Sequence, residues 1–361
     1  MPNTYKIPIL PPSVELDSPA VLKALIPAHR NLAELKGRSA VIPNEGILID
    51  TLSLQEAKAS SEIENIVTTQ DQIFQISPKA HVFSNPNQKE VAKYRDALHC
   101  GFEGLQKQKN ILSNNTLISM FQVLKGTTGG FRQTPGTELQ NEATGNTIYI
   151  PPQSVDEIIR HMFRLEVFIN DDKLIDIDPL VKMALIHHQF ESIHPFPDGN
   201  GRIGRILNVL YLVQQGLLES PILYLSRYIT KNKDEYYHLL QSTRDTGEWE
   251  PWLLYMINAV AEIALDTTEL ISKIRDLMAD YKHRIRDQYG FYSQDLLNNL
   301  FRHPYTRIEY LMNDLRVSRP TATKYLDDLR KGGFLERYKI GRSVYYMNTP
   351  LVALFMEGFD N

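Results

Sequence analysis

The sequence predicts a mainly α protein: a helical core carrying one small β-hairpin, followed by a C-terminal winged helix-turn-helix. Three observations carry that class. Apolar residues recur at helical spacing in successive segments from Pro19 to Tyr289. The turn-forming pair Gly145-Asn146 runs into Ile148, Tyr149 and Ile150, which favour strand. After Gly290 come two short helical stretches split by Arg316-Val317, then two alternating stretches on either side of Gly341, the order of a winged helix.

Composition places the chain among ordinary globular proteins, long enough for two or three domains: 361 residues, 42% apolar and 23% charged. No apolar run approaches the roughly 20 residues that span a bilayer. Residues 1–12 lack the basic start and apolar core of a signal peptide. A single cysteine, Cys100, excludes an internal disulfide and any cysteine-cluster metal site. A cytoplasmic chain without membrane contact is the expectation. The formal net charge of -4 argues against a chain dominated by nucleic-acid binding, while leaving room for one basic domain.

Along the chain, Pro2, Pro8, Pro11, Pro12 and Pro19 make an extended lead-in, and Ser18-Pro19 opens a helix with Leu22, Leu25 and Ile26 on its apolar face. A second helix, over about residues 51–66, carries Leu52, Ala59, Ile63 and Ile66 as its stripe. Beside that stripe Ser60 and Glu64, four apart, share a polar face. Pro86 breaks the chain, and a helix-like stretch over residues 90–106 leads to a central region from about Ile111. Asp178-Pro179 is a strong helix start, with Asp at the cap and Pro at the first helical position. Val181, Ala184, Leu185 and His188 fall on one face of that helix, which reads His188 as a buried, hydrogen-bonded histidine. The spacing of His187, His188, His194 and Asp198 fits no standard zinc site.

That helix leads into the stretch around which the chain is organised, His194-Pro195-Phe196-Pro197-Asp198-Gly199-Asn200-Gly201-Arg202-Ile203-Gly204-Arg205. The next helix carries Ile203, Ile206, Leu207, Leu210 and Val213 as its core stripe. Gly199 and Gly201 allow a tight turn and close approach of a ligand, and leave the amides of the helix start free to point at negative charge. Arg202 and Arg205 lie three apart in the first turn and can face one spot, although cations there oppose the helix dipole. A partner bearing several negative charges is implied. Asp198 can pair with these arginines or hold a hard cation such as Mg2+ that bridges phosphate oxygens. His194 is the one neutral-pH base of the group.

The string matches HPFx(D/E)GNGRxxR at every defined position, and in this the sequence resembles the Fic family. The resemblance implies a helical fold and transfer of AMP from ATP to a hydroxyl side chain of a target protein. Carried over by position, His194 is the general base for the target Ser, Thr or Tyr hydroxyl, and Asp198 holds Mg2+ between the alpha and beta phosphates. Gly199, Asn200 and Gly201, with the adjoining Ile203 and Gly204, cradle the nucleotide; Arg202 and Arg205 bind the outer phosphates. The intact Gly-Asn-Gly core favours AMP transfer over phosphate transfer.

Further stretches extend the resemblance. Ser60-Ser61-Glu62-Ile63-Glu64-Asn65 matches (S/T)xxxE(G/N), with Ser60, Glu64 and Asn65 in the defined positions. This implies autoinhibition, with Glu64 paired bidentately to Arg205 where the gamma-phosphate belongs. Some members use this glutamate to remove AMP, so Glu64 reads as a brake, a second base, or both. Thr147, Ile148, Tyr149 and Ile150 resemble the flap that holds a target segment by backbone pairing. Of the pair Tyr236-Tyr237, Tyr236 is the expected ATP contact and Tyr237 is divided between core packing and a ligand role. Trp249 and Trp252 read as core.

Residues 251–289 form a long amphipathic bridge to the last domain. There, Leu296, Leu297 and Leu300 mark one helix, residues 306–315 a second, and Ser318-Arg319-Pro320-Thr321 opens a third that ends at Gly332-Gly333. Arg319, Thr321, Thr323 and Lys324 would read bases, with Arg337, Lys339 and Arg342 on phosphates. Residues 291–361 hold ten Lys and Arg against eight Asp and Glu, a net of +2, which is weak for a DNA reader. A winged helix can equally serve as a dimer or docking surface. The expected domains are residues 1–110 with the inhibitory helix, 111–262 as catalytic core, 263–290 as connecting helix and 291–361 as winged helix. The expected function is an ATP- and Mg2+-dependent protein adenylyltransferase restrained by Glu64. Its alternatives are a de-AMPylating hydrolase and a nucleotide-sensing, DNA-binding transcriptional regulator. Expected partners are ATP, a hydroxyl-bearing target protein, DNA through the winged helix, and a second copy in a homodimer.

Overall fold

Helix boundaries in the computed structural model follow the capping residues of the sequence. The structure describes residues 5–42, 45–74, 85–140, 145–340 and 343–357. Thr144 before the hairpin strand, and Gly341 and Arg342 of the wing, lie outside the described residues. Helix α1, Pro19–Ser39, starts where Ser18 accepts from the Val21 amide with Pro at the first turn. Helix α2 spans Glu45–Ile63, α3 Gln70–Phe74 and α4 Pro86–Lys107, the last capped by Asn85. Helix α5, Asn114–Lys125, closes on Gly126 at φ 64°, a left-handed position that glycine reaches without strain.

A two-stranded sheet follows, β1 Leu139–Gln140 against β2 Thr147–Tyr149, antiparallel with Leu139 opposite Tyr149. Gly145-Asn146 directly precedes β2, residues 141–144 lie outside the described residues, and Ile150 lies beyond the strand. Helices α6 Val155–Asn170, α7 Pro179–Ile193, α8 Asn200–Gln214, α9 Ser226–Lys231 and α10 Lys233–Thr246 complete the centre. Helix α11, Glu250–Gln288, is 39 residues long and packs along α1.

Helix α7 is buried on every side from Leu180 to Ile193, so the one-faced stripe read from Val181, Ala184, Leu185 and His188 understates its position. A helix apolar all round belongs in a core. His188 Nε2 donates to the Leu240 carbonyl, 3.2 Å away, as a packed histidine should. On α1 the buried face is Val21, Leu25, Ala28, Leu32 and Leu35, while Leu22 and Ile26 are exposed. Both periodicities fit the local sequence, and only α11 decides which face is covered. Trp249 and Trp252 are core residues, and the Trp252 indole donates to the Ala184 carbonyl at 2.9 Å.

The C-terminal part has the order α12 Gln294–Arg302, β3 Tyr305–Thr306, α13 Ile308–Leu315, α14 Arg319–Lys331, β4 Glu336–Ile340, β5 Ser343–Met347. Its sheet runs β3-β5-β4, antiparallel throughout, with Met347 of β5 between Tyr305 and Glu336. This is the helix, strand, helix-turn-helix, hairpin order of a winged helix. The two-residue β3 is too short to leave a periodic signal. A last helix, α15 Thr349–Glu357, returns to pack on α11. Tyr281 of α11 ties the two parts together, its hydroxyl 2.8 Å from the Phe334 carbonyl and 3.0 Å from Asn348 Oδ1. Among the described residues no helix is long and apolar enough to cross a membrane.

Candidate active site

His194 ends α7 in the left-handed conformation, φ 49° and ψ 58°, which swings the chain out of the core and into the loop. The loop is closed by Asn200, whose side chain both accepts from the Phe196 amide and donates to the Phe196 carbonyl at 2.8 Å. Asn200 thus spends its amide on shaping the loop rather than offering it to a ligand. Phe196 is buried and stacks on Phe121, 4.4 Å between ring centroids. Gly199 turns at φ 75° and caps α8. Arg132 braces the other side: its Nε donates to the His194 carbonyl at 2.9 Å, its backbone amide to the Pro195 carbonyl at 2.8 Å, and a guanidinium nitrogen to the Pro152 carbonyl.

Arg202 and Arg205 do face one spot, and both are 2% exposed. Glu64 occupies that spot. Its Oε2 lies 2.7 Å from Arg202 Nε and its Oε1 3.1 Å from Arg205 Nη2, so it bridges the two arginines instead of pairing bidentately with Arg205. Arg205 also donates to Ser60 Oγ at 2.8 Å and to the Ser60 carbonyl at 3.0 Å. Glu90 of α4 takes the remaining side of Arg202, 2.7 Å from Nη1. Burial opposes the Arg205 charge, and the negative groups beside it, Glu64 foremost, more than offset this and lift its pKa above the ordinary range. Charge-assisted pairs of this kind are the strong ones, and a guanidinium this deeply buried needs them.

Local chemistry explains how α2 presents Glu64. The helix ends at Ile63, three residues short of the expected 66, and Asn65 sits beyond it at φ 60°. The Ile66 and Asn65 amides return to the Ser61 and Glu62 carbonyls at 2.9 and 3.0 Å, a left-handed helix ending that Asn tolerates. Glu64 therefore stands on the terminal turn, aimed across at α8. Upstream, Glu56 anchors α2 from inside: Tyr94 donates to it at 2.8 Å, and both the amide and hydroxyl of Ser226 donate to it. Burial pushes the Glu56 pKa up despite these bonds. Helix α2 is polar yet buried, which marks it as a packed partner of the site and not as a solvated flank.

Asp198 is exposed at the loop tip and meets Lys125 of α5 at 2.5 Å and Arg202 Nη2 at 3.8 Å. Partial burial works against its charge, and Lys125 and Arg202 outweigh it, holding the carboxyl below its usual range. The His194 imidazole is partly buried; burial first, then the nearby charges of Arg244 and Arg132, lower its pKa from 6.5 to about 4. Glu191, one helical turn before His194, is buried, and this burial raises its pKa from 4.5 to about 7.

Several expected ligand residues turn inward. Ile203 is core, and Gly204 is a packing glycine: a Cβ there would come within 2.7 Å of Glu191 Oε1 and 3.1 Å of Phe190. At Gly201 the approach is equally tight, 2.8 Å to Arg205 Nη1 and 3.3 Å to Glu64 Oε1, so its lack of a side chain serves the site directly. Tyr236 is 2% exposed, with its hydroxyl 2.8 Å from His187 Nε2 and its ring against Trp252, whereas Tyr237 is 46% exposed. Within the pair, Tyr236 packs inward and Tyr237 is presented to solvent. On the flap Tyr149 also points in, its hydroxyl donating to the Ser192 carbonyl at 2.8 Å under the Arg244 guanidinium, while Ile148 and Ile150 stay accessible. Glu90, Lys125, Arg132 and Arg244 were not singled out from the sequence. Glu90 and Lys125 lie 112 and 73 residues from their partners, and no spacing rule reaches that far.

The chain matches three family models: Fic/DOC family N-terminal over residues 22–103, Fic/DOC family over residues 111–212, and the C-terminal domain of protein adenylyltransferase SoFic-like over residues 277–351. It is 28% identical over 184 residues to the probable protein adenylyltransferase aq_aa38 of Aquifex aeolicus, covering 50% of this chain and 54% of that protein. It is 29% identical over 105 residues to protein adenylyltransferase fic-1 of Caenorhabditis elegans, 29% of this chain and 19% of that one. The chain thus spans about half the length, or less, of these curated relatives. In fold it is similar to a Fic family protein from Desulfovibrio desulfuricans G20, with a TM-score of 0.57 at 20% identity over 92% of this chain and 96% of that one. It is also similar to Fic-1 from C. elegans, with a TM-score of 0.52 at 20% identity over 71% and 73% of the two chains. With its two central helices, its loop and both flanking regions accounted for in this way, the chain belongs to the Fic/DOC family.

Proposed function

We propose that the protein is an adenylyltransferase that moves AMP from ATP to a hydroxyl side chain of a target protein, and that Glu64 restrains it. The observation that carries the reading is a carboxylate bridging two buried arginines at the start of a helix. Two guanidiniums and free first-turn amides make a site for a polyanion, and Glu64 stands in for that anion when none is bound. A triphosphate entering the site displaces Glu64 from Arg202 and Arg205. The pairs it replaces set the strength of the restraint.

In the transfer step the target hydroxyl oxygen bonds to the alpha phosphorus as the bond from that phosphorus to the beta-phosphate oxygen breaks, and pyrophosphate leaves. His194 takes the hydroxyl proton at its imidazole. With its pKa lowered to about 4, the ring is neutral at pH 7 and ready to accept. The negative charge of bound phosphates raises its basicity above that of the empty site. Arg202 and Arg205 stabilise charge on the leaving pyrophosphate without reorganising, because packing already fixes them. Asp198, an accessible carboxylate with a cationic partner already on it, suits a Mg2+ ion that takes its other ligands from phosphate and water. Such an ion, when bound, neutralises phosphate charge. Tyr237, exposed beside Lys233, is the better placed of the two tyrosines to meet the nucleotide. Ile148 and Ile150 offer the flap edge for a target segment, and the domains in this reading divide at residues 110, 262 and 290, the middle limit lying within the unbroken helix α11.

The test incubates purified wild type, Glu64→Gly and His194→Ala with labelled ATP and Mg2+ and follows AMP on the chain itself and on lysate proteins. Strong labelling by Glu64→Gly, weak labelling by wild type and none by His194→Ala is expected. Labelling that is equal in wild type and His194→Ala, or absent from all three, overturns the reading.

A further inference from the structure

Arg202 is 2% exposed and three carboxylates stand around it, yet only one of them accepts a hydrogen bond from it. Its Nη1 donates to Glu90 Oε2 at 2.7 Å. Glu64 Oε2 lies as close to Nε, 2.7 Å, but out of line with the N–H, so the buried Nε hydrogen has no acceptor. Of the two arginines, Glu64 takes a hydrogen bond only from Arg205, at 3.1 Å. Asp198 is 3.8 Å from Arg202 Nη2, beyond hydrogen-bond reach, and Nη2 borders the Gly199 turn, where a Cβ would stand 3.7 Å from it.

The two glutamates also differ in how they are mounted. Glu64 follows the last residue of α2 and precedes the left-handed Asn65, so a shift of one terminal turn withdraws it. Glu90 belongs to α4, beside fully buried Val91 and one turn before fully buried Tyr94, and α4 packs on α2, α5 and α8. Within a planar guanidinium, Nε and Nη2 form one edge whose hydrogens point the same way, the edge that takes a carboxylate or phosphate bidentately. Nη1 lies off that edge. Glu90 thus fixes the plane of Arg202 without using the hydrogens that suit an incoming anion.

We infer that Glu90 is a positioning residue: it stays on Arg202 when a triphosphate replaces Glu64, and holds the edge formed by Nε and Nη2 toward an outer phosphate. The inference rests on the reading of this site as one for ATP. The Nε hydrogen, unsatisfied against Glu64, then gains an aligned acceptor, and such a bond counts most where the donor is charged and buried. Glu90 itself touches no ligand and acts only through Arg202.

The test measures ATP and AMP binding with Mg2+ by titration calorimetry, in full chains carrying Glu64→Gly to open the site and His194→Ala to stop transfer. AMP lacks the outer phosphates and reports on the rest of the pocket. Adding Glu90→Ala, or Glu90→Met at near-native volume, should weaken ATP about tenfold and leave AMP unchanged, whereas Glu90→Gln, whose amide oxygen still accepts from Nη1, should stay within about twofold of the parent. With Arg202→Ala also present, loss of Glu90 should weaken ATP no further, because nothing remains to be positioned. Equal weakening of ATP and AMP overturns the inference by making Glu90 a support of the fold. So does ATP binding that is unchanged or tighter without Glu90, which would make it a competitor of the phosphates, and so does a tenfold loss that persists without Arg202. A parent that binds ATP no better than AMP overturns the reading of the site and the inference with it, a result visible before Glu90 is replaced.

Discussion

At the start of α8, Arg202 and Arg205 are 2% exposed and clasped by Glu64 and Glu90. At the start of α14, Arg319 has 61% of its side chain in solvent and meets Glu309 at 3.1 Å. Both helices open with cations where the dipole disfavours them, and both cations have carboxylates at hand. Burial separates the two cases. A solvated arginine retains its hydration, and its surface pair is worth about 0–1 kcal/mol. A buried one forfeits several kcal/mol of hydration and persists only with fixed anions around it. The anions on Arg202 and Arg205 come from the end of α2 and from α4, outside the loop, so the charge that this loop buries is balanced by other parts of the protein. On α14 the readout candidates are spent locally: Thr323 donates to the Arg319 carbonyl at 2.9 Å and Thr321 contacts Ser318 at 2.9 Å.

The largest expected effect is at His194. In a Glu64→Gly background, His194→Ala should lower AMP transfer by about 10²–10⁴-fold, the range for a lost general base, with nucleotide binding nearly unchanged. A comparable loss of binding would mean that His194 shapes the site instead. Next comes Glu64→Gly alone, which should destabilise the nucleotide-free protein by about 3 kcal/mol, the lower end for breaking a buried pair because Glu90 still holds Arg202. Added ATP should restore much of its melting temperature, and a variant as stable as wild type without nucleotide would reduce Glu64 to a surface charge.

Glu191 supplies the pH dependence. Its folded pKa of about 7 lies above its ordinary 4.5, so the folded state holds the proton more tightly and stability falls as pH rises between those values. Wild type minus Glu191→Gln should therefore lose on the order of 3 kcal/mol of relative stability from pH about 4.5 to about 7, read from melts across that window. The histidines act in the opposite sense: His194, lowered from 6.5 to about 4, costs stability as pH falls through that interval. Parallel wild-type and Glu191→Gln curves would show that Glu191 reaches water. The smallest effect is expected at the other arginine, where Arg319→Ala should change unfolding free energy by less than about 0.5 kcal/mol. A loss of several times that would mean α14 is held as firmly as α8.

Much of this was legible before any coordinates. Caps and prolines placed the starts of α1, α7 and α14, because a helix terminus is written in three or four neighbouring residues. The loop was legible for the same reason: its base, glycines and arginines are consecutive. Other outcomes turn on distant contacts. Tyr236 and Tyr237 are adjacent and chemically equal, and the packing of Trp252 and His187 alone makes the first internal. The flap was read by backbone pairing alone, and strand alternation sends the Tyr149 side chain to the inner side, onto Ser192 and Arg244.

What the sequence by itself determined, then, is local: the cap signals and the order of reactive groups from His194 to Arg205, since each depends on neighbours a few bonds away. Tertiary structure alone decided the meeting of Glu64 with both arginines, the addition of Glu90 and Lys125, and the choice of which tyrosine and which face of α1 lie inside. Those outcomes depend on desolvation, and desolvation is a property of everything packed around a group, however far off in the chain.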